Sequence, residues 1–116
     1  MFIVTVEFPE RQLEADFNVN VLPLSFDIQD KKAVNNAINS LNDQWKNIDV
    51  LVNNAAIARI NNGRRFEITE ISYENWNETI SINLTGAFNC CKSVIPYFLK
   101  EKKGHIINIS SALERT

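Results

Sequence analysis

The segment IDVLVNNAA, residues 48–56, decides the fold class. Its centre, residues 50–52, is continuously apolar, which is typical of a strand covered on both faces rather than on one. Asn53 and the small residues after it then begin a loop. Strands that are buried on both faces belong to parallel sheets with helices packed against them, so the segment predicts an α/β protein.

Strand and helix patterns alternate on both sides of this segment. We predict strands at residues 2–6, 19–25, 49–53 and 105–111, separated by helices at residues 9–16, 30–45 and 72–102. This order predicts a single, incomplete domain over residues 1–116, with a partial Rossmann-like parallel sheet of about four strands and helices on both faces. We expect a polar loop at residues 58–69. Gly86 and Pro96 interrupt the last helix, which predicts a kink or two joined pieces.

Composition excludes several classes of function. Twelve basic and fourteen acidic residues give a net charge of -2 without a basic stripe, so nothing favours binding to nucleic acid. The apolar runs are too short for a membrane span, and we interpret residues 1–6 as a strand, not a signal peptide. Cys90 and Cys91 are neighbours in a helical pattern, and no His/Cys spacing indicates zinc. We interpret both cysteines as small apolar residues that are buried or half-buried. We also expect the protein to lie in a reducing cytoplasm.

Four segments of the chain carry a family resemblance. In order they are LSFDI at residues 24–28, IDVLVNNAA at 48–56, INLTG at 82–86 and GHIINISS at 104–111. The series closely resembles the short-chain dehydrogenase/reductase family, at the spacing that the family uses and over about residues 19–111. The resemblance implies an oxidoreductase that uses NAD or NADP to interconvert an alcohol and a ketone in a small-molecule substrate. Such sheets bind their ligands beyond the carboxyl ends of the strands.

The resemblance implies five cofactor-binding residues. Asp27 matches the acidic residue that hydrogen-bonds the adenine amino group, and the backbone of Ile28 matches the group that contacts the ring edge. Asn53, Ala55 and Ala56 match the family's Asn-Asn-Ala-Gly element, in which the asparagine supports the sheet and the small residues admit the ribose. Here Ala56 replaces the usual glycine, which restricts the approach of the ligand to the backbone. The alternative for Asp27 is a carboxylate stabilised by the dipole of the next helix, and for Asn53 a purely structural role.

Two catalytic residues follow from the same resemblance. Asparagine is unfavourable in the interior of a helix, where Asn83 is predicted to lie. Asn83 matches the family asparagine that distorts its helix and holds a water molecule of a proton relay. Ser111 matches the serine that hydrogen-bonds the oxygen of the substrate. The alternatives are a solvated helix asparagine and an ordinary turn serine. Helix 72–102 matches the helix through which family members commonly pair, which implies a homo-oligomer.

Two parts of the family pattern are missing from residues 1–116. None of the three glycines, Gly63, Gly86 and Gly104, lies in a glycine-rich turn that could hold a pyrophosphate. Neither Tyr73 nor Tyr97 is followed by lysine four residues later, as the family's proton donor is. We therefore expect a truncated chain with little affinity for the cofactor and no turnover. The alternative function is a non-catalytic α/β interaction module.

The N-terminal residues admit two interpretations. Residues 2–6 are either the family's second strand, with Glu7 near the ribose and a preference for NAD, or its first strand, with the glycine turn deleted before Pro9. The first interpretation leaves a gap in the sheet, at a cost of about 1–3 kcal/mol for each buried unpaired backbone group. The second allows the sheet to close, so we prefer it slightly.

Overall fold

The computed structural model describes residues 10–41, 45, 47–58, 60–61 and 63–111. In chain order its elements are α1 (Glu10–Phe17), α2 (Lys31–Asn39), β1 (Val50–Asn53), β2 (Ile60–Asn61), β3 (Arg64–Arg65), α3 (Tyr73–Ile80), α4 (Ala87–Glu101) and β4 (His105–Asn108). A 3-10 turn, Ile68–Glu70, precedes α3, and a π-helical segment, Ser81–Gly86, joins α3 to α4. The predicted strand at residues 2–6 lies outside the described residues, as does Glu7.

The strands β1 and β4 form a parallel pair. Val50 lies opposite His105, and Asn53 lies opposite Asn108, so both strands end at the same edge. The N–H of Ile109 donates to the carbonyl of Asn53 at 2.9 Å and extends the pairing beyond that edge. The parallel direction of the two strands predicted on either side of helix 72–102 is thus confirmed, although the second strand ends at Asn108 and not at residue 111.

The strand predicted at residues 19–25 does not form. Within the described part of the chain this segment pairs with no other strand, although Leu22 and Leu24 pack against the core. Pro23 lacks an N–H group, so it cannot donate to a neighbouring strand. Apolar packing is therefore enough to hold the segment against the helices, but it does not make the segment a strand.

The helix predicted at residues 30–45 is shorter than expected. Asp30, at which the predicted helix begins, caps α2, because its carboxylate accepts hydrogen bonds from two N–H groups of the first turn. The helix ends at Asn39, and the Oγ of Ser40 donates to the carbonyl of Ala37 at 2.7 Å. Leu41 then leaves the helix and enters the core. The helical spacing of apolar residues continued past the true end because Leu41 is buried there in a non-helical conformation.

The helix predicted at residues 72–102 is confirmed as joined pieces. Ser72 caps α3 by accepting a hydrogen bond from the N–H of Asn75 at 3.1 Å. The regular helix gives way to the π-helical segment 81–86, which contains Gly86, and α4 then continues through Pro96. Lys102 adopts the left-handed conformation that ends α4.

The loop predicted at residues 58–69 contains regular structure. The strands β2 and β3 form a short hairpin, and Gly63 has a φ of 78° in its turn, a conformation that glycine adopts without strain. Arg64 donates two hydrogen bonds, of 2.8 and 2.6 Å, to the carboxylate of Glu70. The prediction was wrong because it gave no weight to the Asn-Gly pair that often turns a hairpin.

The core lies between α2, β1 and α4. Its buried cluster consists of five residues, namely Ile38, Leu41, Ile48, Leu51 and Val94. Polar contacts also join the two helices, since the Oγ of Ser93 donates to Asn35 at 2.5 Å and the hydroxyl of Tyr97 donates to Asn39 at 3.2 Å. All four residues of β4 are exposed. The helices thus cover the face of β1 that carries Leu51, whereas Val52 on the other face is 38% exposed.

Candidate functional site

Asn53 connects the carboxyl ends of both strands to α4. Its side-chain amide donates to Oδ1 of Asn108 at 2.8 Å and to Sγ of Cys91 at 3.3 Å. One amide group therefore holds β1, β4 and the helix together at the edge where parallel sheets bind ligands.

Asn83 fixes the loop that follows β1. Its Oδ1 accepts from the N–H of Ile57 at 2.8 Å, and its Nδ2 donates to the carbonyl of the same residue at 2.9 Å. Asn83 lies in the π-helical segment, so the predicted distortion of the helix is present at this residue. Since an amide carries two N–H groups and two lone pairs, one of each remains for a further partner.

Ala55 and Ala56 lie in the loop between Asn53 and Ile57. Ala55 is half-buried and Ala56 is exposed. Both ends of this short loop are hydrogen-bonded, one through Asn53 to β4 and the other through Ile57 to the π-helical segment. The loop is therefore held in place by its flanking residues, and its own small side chains leave the backbone accessible.

The turn at residues 27–30 presents Asp27 to solvent. Oδ1 of Asp27 accepts from the N–H of Gln29 at 2.8 Å, which closes a tight turn. The side chain that caps α2 is that of Asp30, not that of Asp27. Ile28 is buried against the helix, where a Cβ on Gly86 would lie only 2.5 Å from its Cδ1. The glycine thus provides the space that Ile28 fills.

Asn89 also holds this turn, and the sequence analysis missed it. It is 8% exposed, and its Nδ2 donates to the carbonyls of Ile28 at 2.9 Å and Gln29 at 3.2 Å. The available signal was an asparagine inside an apolar helix, the same argument that identified Asn83. It was not applied because Asn89 lies outside the four family segments.

Residues 83–91 thus form a common support for the candidate site. They contact the turn at residues 27–30, the loop at 54–58 and the strand ends at Asn53. The structure thus places the turn of Asp27 and Ile28, the loop of Ala55 and Ala56, and the end of β1 against one helical segment. Ser111 is exposed and lies three residues beyond the end of β4, at the same edge of the sheet, and it forms no hydrogen bond to the other site residues described.

One charged pair, that of Lys103 and Asp49, lies at the opposite edge of the sheet. Lys103 donates to Asp49 at 2.7 Å at the amino ends of the two strands, and this hydrogen bond lowers the pKa of the Asp49 carboxyl.

Cys90 and Cys91 are free thiols, and burial raises the pKa of Cys90, which favours its protonated form.

The described residues show neither a metal site nor a bilayer-crossing helix. They contain no group of three histidine, cysteine, aspartate or glutamate residues that could hold a metal ion. None of the helices that the structure describes has the length and apolar content required to cross a bilayer.

Several known proteins are similar to this chain in sequence or in structure. An NADP-dependent 3-hydroxy acid dehydrogenase of Schizosaccharomyces pombe is 32% identical over 111 residues, which cover 96% of this chain and 41% of the relative. The crystal structure of serine dehydrogenase from Escherichia coli matches with a TM-score of 0.77 at 29% identity, over 92% of this chain and 47% of that one. A 3-oxoacyl-[acyl-carrier protein] reductase from Brucella melitensis with bound NAD matches with a TM-score of 0.77 at 29% identity, over 88% and 38% of the two chains.

The chain spans less than half the length of these relatives. The structural matches confirm the predicted partial Rossmann-like α/β fold. The family model described as short chain dehydrogenase matches residues 5–115, nearly the whole chain. The chain belongs to the short chain dehydrogenase family.

Proposed function

We propose that this chain carries cofactor-binding and substrate-binding residues of an NAD(P)-dependent oxidoreductase that interconverts an alcohol and a ketone in the cytoplasm. The observation that carries the proposal is the common support at residues 83–91. It joins the turn that holds Asp27 and Ile28 to the loop that holds Ala55 and Ala56. A dinucleotide needs both positions at one sheet edge, because its adenine and nicotinamide ends lie on either side of the central strands.

The groups at the turn fit an adenine ring. The carboxylate of Asp27 is exposed and has lone pairs to accept from an amino group. The N–H of Ile28 has no acceptor among the described residues, so it is available to a ring nitrogen. Together they offer an acceptor beside a donor, which is the complement of the adenine edge. The described residues contain no glycine-rich turn, so the fit concerns the two ends of a dinucleotide rather than its phosphates.

The remaining site residues would act on the substrate. When bound, the nicotinamide supplies or accepts a hydride. The exposed hydroxyl of Ser111 would donate a hydrogen bond to the carbonyl oxygen and so stabilise the negative charge that develops there. The unused N–H and lone pair of Asn83 would hold a water molecule of a proton relay.

The relatives favour one substrate class. Their names specify a 3-hydroxy acid, serine and a 3-oxoacyl group, and serine is itself a 3-hydroxy acid. The three names share an oxygen on the β-carbon, C3, of an acid or acyl group. We extend this class, a 3-hydroxy or 3-oxo acid derivative, to the present chain.

A titration of the 116-residue chain, followed by amide NMR, tests the cofactor site. Added NAD+ or NADP+ should bind weakly, since residues 1–116 contain no glycine-rich turn, and should shift the amide signals of residues 27–30 and 53–57. Asp27→Ala should weaken the binding, whereas the control Asp16→Ala, which removes an exposed acidic residue on α1, should not. Equal affinities for the two variants, or shifts confined to other regions, would contradict the proposal.

Turnover is a separate question. Residues 1–116 contain no tyrosine followed by lysine four positions later, so a polypeptide of these residues alone should not oxidise NAD(P)H with a 3-oxo acid. Absorbance of NAD(P)H measures the rate. A clear rate that Ser111→Ala abolishes would show that another group donates the proton and that this expectation is wrong.

An exposed apolar stripe supports self-association through helix 72–102. Its members, with their exposed fractions, are Trp76 (51%), Leu84 (63%), Phe88 (59%), Ile95 (41%) and Leu99 (73%). We propose that a second copy of the chain covers this stripe. Light scattering after size exclusion should show a dimer or larger species that Leu84→Lys disrupts and Asn77→Lys does not. A monodisperse monomer would contradict this proposal.

The same stripe favours the second candidate function, a non-catalytic interaction module. That function predicts self-association or partner binding without any NAD(P)-dependent shift at residues 27–30. The NMR titration therefore separates the two candidates, because only the oxidoreductase requires the cofactor to bind at Asp27 and Ile28.

A further inference from the structure

Asn89 is the one buried polar side chain among the described residues, and it binds the turn at residues 27–30. Its amide donates to the carbonyls of Ile28 and Gln29, which lie about sixty residues away along the chain. Burial of an amide is unfavourable unless its hydrogen bonds are made, so this contact has a defined geometry. The apolar anchor of the turn, Ile28 against Gly86, lies beside this polar one.

We infer that Asn89 is a positioning residue for the adenine end of the cofactor, an inference that rests on the proposed function. It acts through one peptide unit. The carbonyl of Ile28 accepts from Asn89, and the N–H on the other side of that peptide, which belongs to Gln29, donates to the carboxylate of Asp27 at 2.8 Å. A rotation of this peptide would break both contacts, so Asn89 fixes the direction of the Asp27 carboxylate without touching it.

The two anchors of the turn have different consequences. Ile28 contributes apolar burial, which is not directional and tolerates rotation of the backbone. The two hydrogen bonds from Asn89 are directional, and hydrogen bonds linked through a peptide strengthen one another. Loss of Asn89 should therefore leave the turn against α4 but allow the peptide to rotate. The cofactor would then have to order the turn when it binds, which lowers its affinity.

The test compares two probes in the 116-residue chain. Adenosine monophosphate reports on the turn at residues 27–30, and nicotinamide mononucleotide reports on the loop at residues 53–57. Asn89→Leu removes the donor and keeps a similar volume in a helix-favouring residue. It should raise the Kd for adenosine monophosphate about tenfold, the effect of one lost buried hydrogen bond. The Kd for nicotinamide mononucleotide should stay the same.

Two controls accompany this variant. Ser93→Ala removes a different hydrogen bond of α4, the one to Asn35, and should leave both dissociation constants unchanged. Hydrogen exchange of the Gln29 N–H, measured without ligand, should become faster in Asn89→Leu and also in Asn89→Ala. The second variant keeps the test usable if leucine does not fit.

The outcomes separate the two proposals. Unchanged affinity for adenosine monophosphate in Asn89→Leu, with normal binding by the wild type, overturns the role of Asn89 and leaves the proposed function in place. If the wild type binds no adenosine monophosphate at Asp27, the proposed function fails and this inference fails with it. Parallel losses for both probes, or unfolding of both Asn89 variants, would assign Asn89 to the stability of the fold and overturn the inference.

Discussion

Removal of the Asn83 side chain tests whether the loop after β1 depends on the π-helical segment. Asn83→Ala deletes both hydrogen bonds to the backbone of Ile57, at 2.8 and 2.9 Å. No other hydrogen bond joins residues 54–58 to the helix within the described part of the chain. The substitution should therefore release the loop while the helix itself remains.

The structure gives the size of this effect. Each hydrogen bond contributes about 0.5–1.5 kcal/mol, and the lower end applies here because Asn83 is exposed and water can replace its partners. The two bonds together contribute about 1–1.5 kcal/mol. Alanine is better than asparagine in a helix by about 0.5 kcal/mol, which offsets part of the loss. The net decrease in the free energy of unfolding should be about 0.5–1 kcal/mol.

Urea denaturation followed by circular dichroism measures this free energy, and hydrogen exchange of the Ile57 N–H measures the local effect. Asn83→Asp should be at least as destabilising as alanine, because a carboxylate oxygen would replace the donor that faces the carbonyl of Ile57. The matched control is Asn77→Ala on the exposed face of α3, which should stabilise the chain by about 0.5 kcal/mol. Equal stability and equal Ile57 exchange for the two alanine variants would refute the reasoning.

Three other perturbations test separate contacts. Gly86→Ala should lower the free energy of unfolding by about 1–2 kcal/mol in urea melts, because its Cβ would lie 2.5 Å from Cδ1 of Ile28, and the same change should cost much less in a chain that carries Ile28→Ala. Lys103→Met should reduce the acid sensitivity of the melting temperature. Lys103 holds the pKa of Asp49 below its ordinary value of 3.8, so the stabilisation is present above that pH and is lost as the pH falls through the lowered pKa. Burial raises the pKa of Cys90, so iodoacetamide should modify it more slowly in the folded chain than in urea, as peptide mass spectrometry would show; equal rates would contradict this.

The sequence was sufficient where one physical cause dominates. Continuous apolar residues located β1 to within a residue because such residues favour strands, although among residues 50–52 only Leu51 is buried and Val52 is 38% exposed. Ser72 and Asp30 marked the starts of two helices, since capping is a local interaction between a side chain and nearby N–H groups. Helix α1 was predicted at residues 9–16 and lies at Glu10–Phe17.

The sequence was insufficient where the outcome depends on distant residues. Strand formation at residues 19–25 requires a pairing partner, and the local pattern does not say whether one is adjacent. Leu41 matched a helical spacing but is buried from outside the helix. The contact between Asn89 and Ile28 joins residues 61 positions apart, so only the folded chain brings them together.

The segment from Asn83 to Cys91 separates the contacts that hold the candidate site from an exposed apolar surface. One side of this helix carries Asn83, Gly86 and Asn89, which hold the loop and the turn. The opposite side carries Leu84 and Phe88, which remain exposed. Asn83 and Asn89 bind backbone groups of the loop and the turn, and Gly86 leaves space for the Ile28 side chain. Leu84 and Phe88 could change without altering these contacts. Substitutions on the exposed side should therefore alter association alone, and substitutions on the other side should alter the ligand-facing loops before they alter the core.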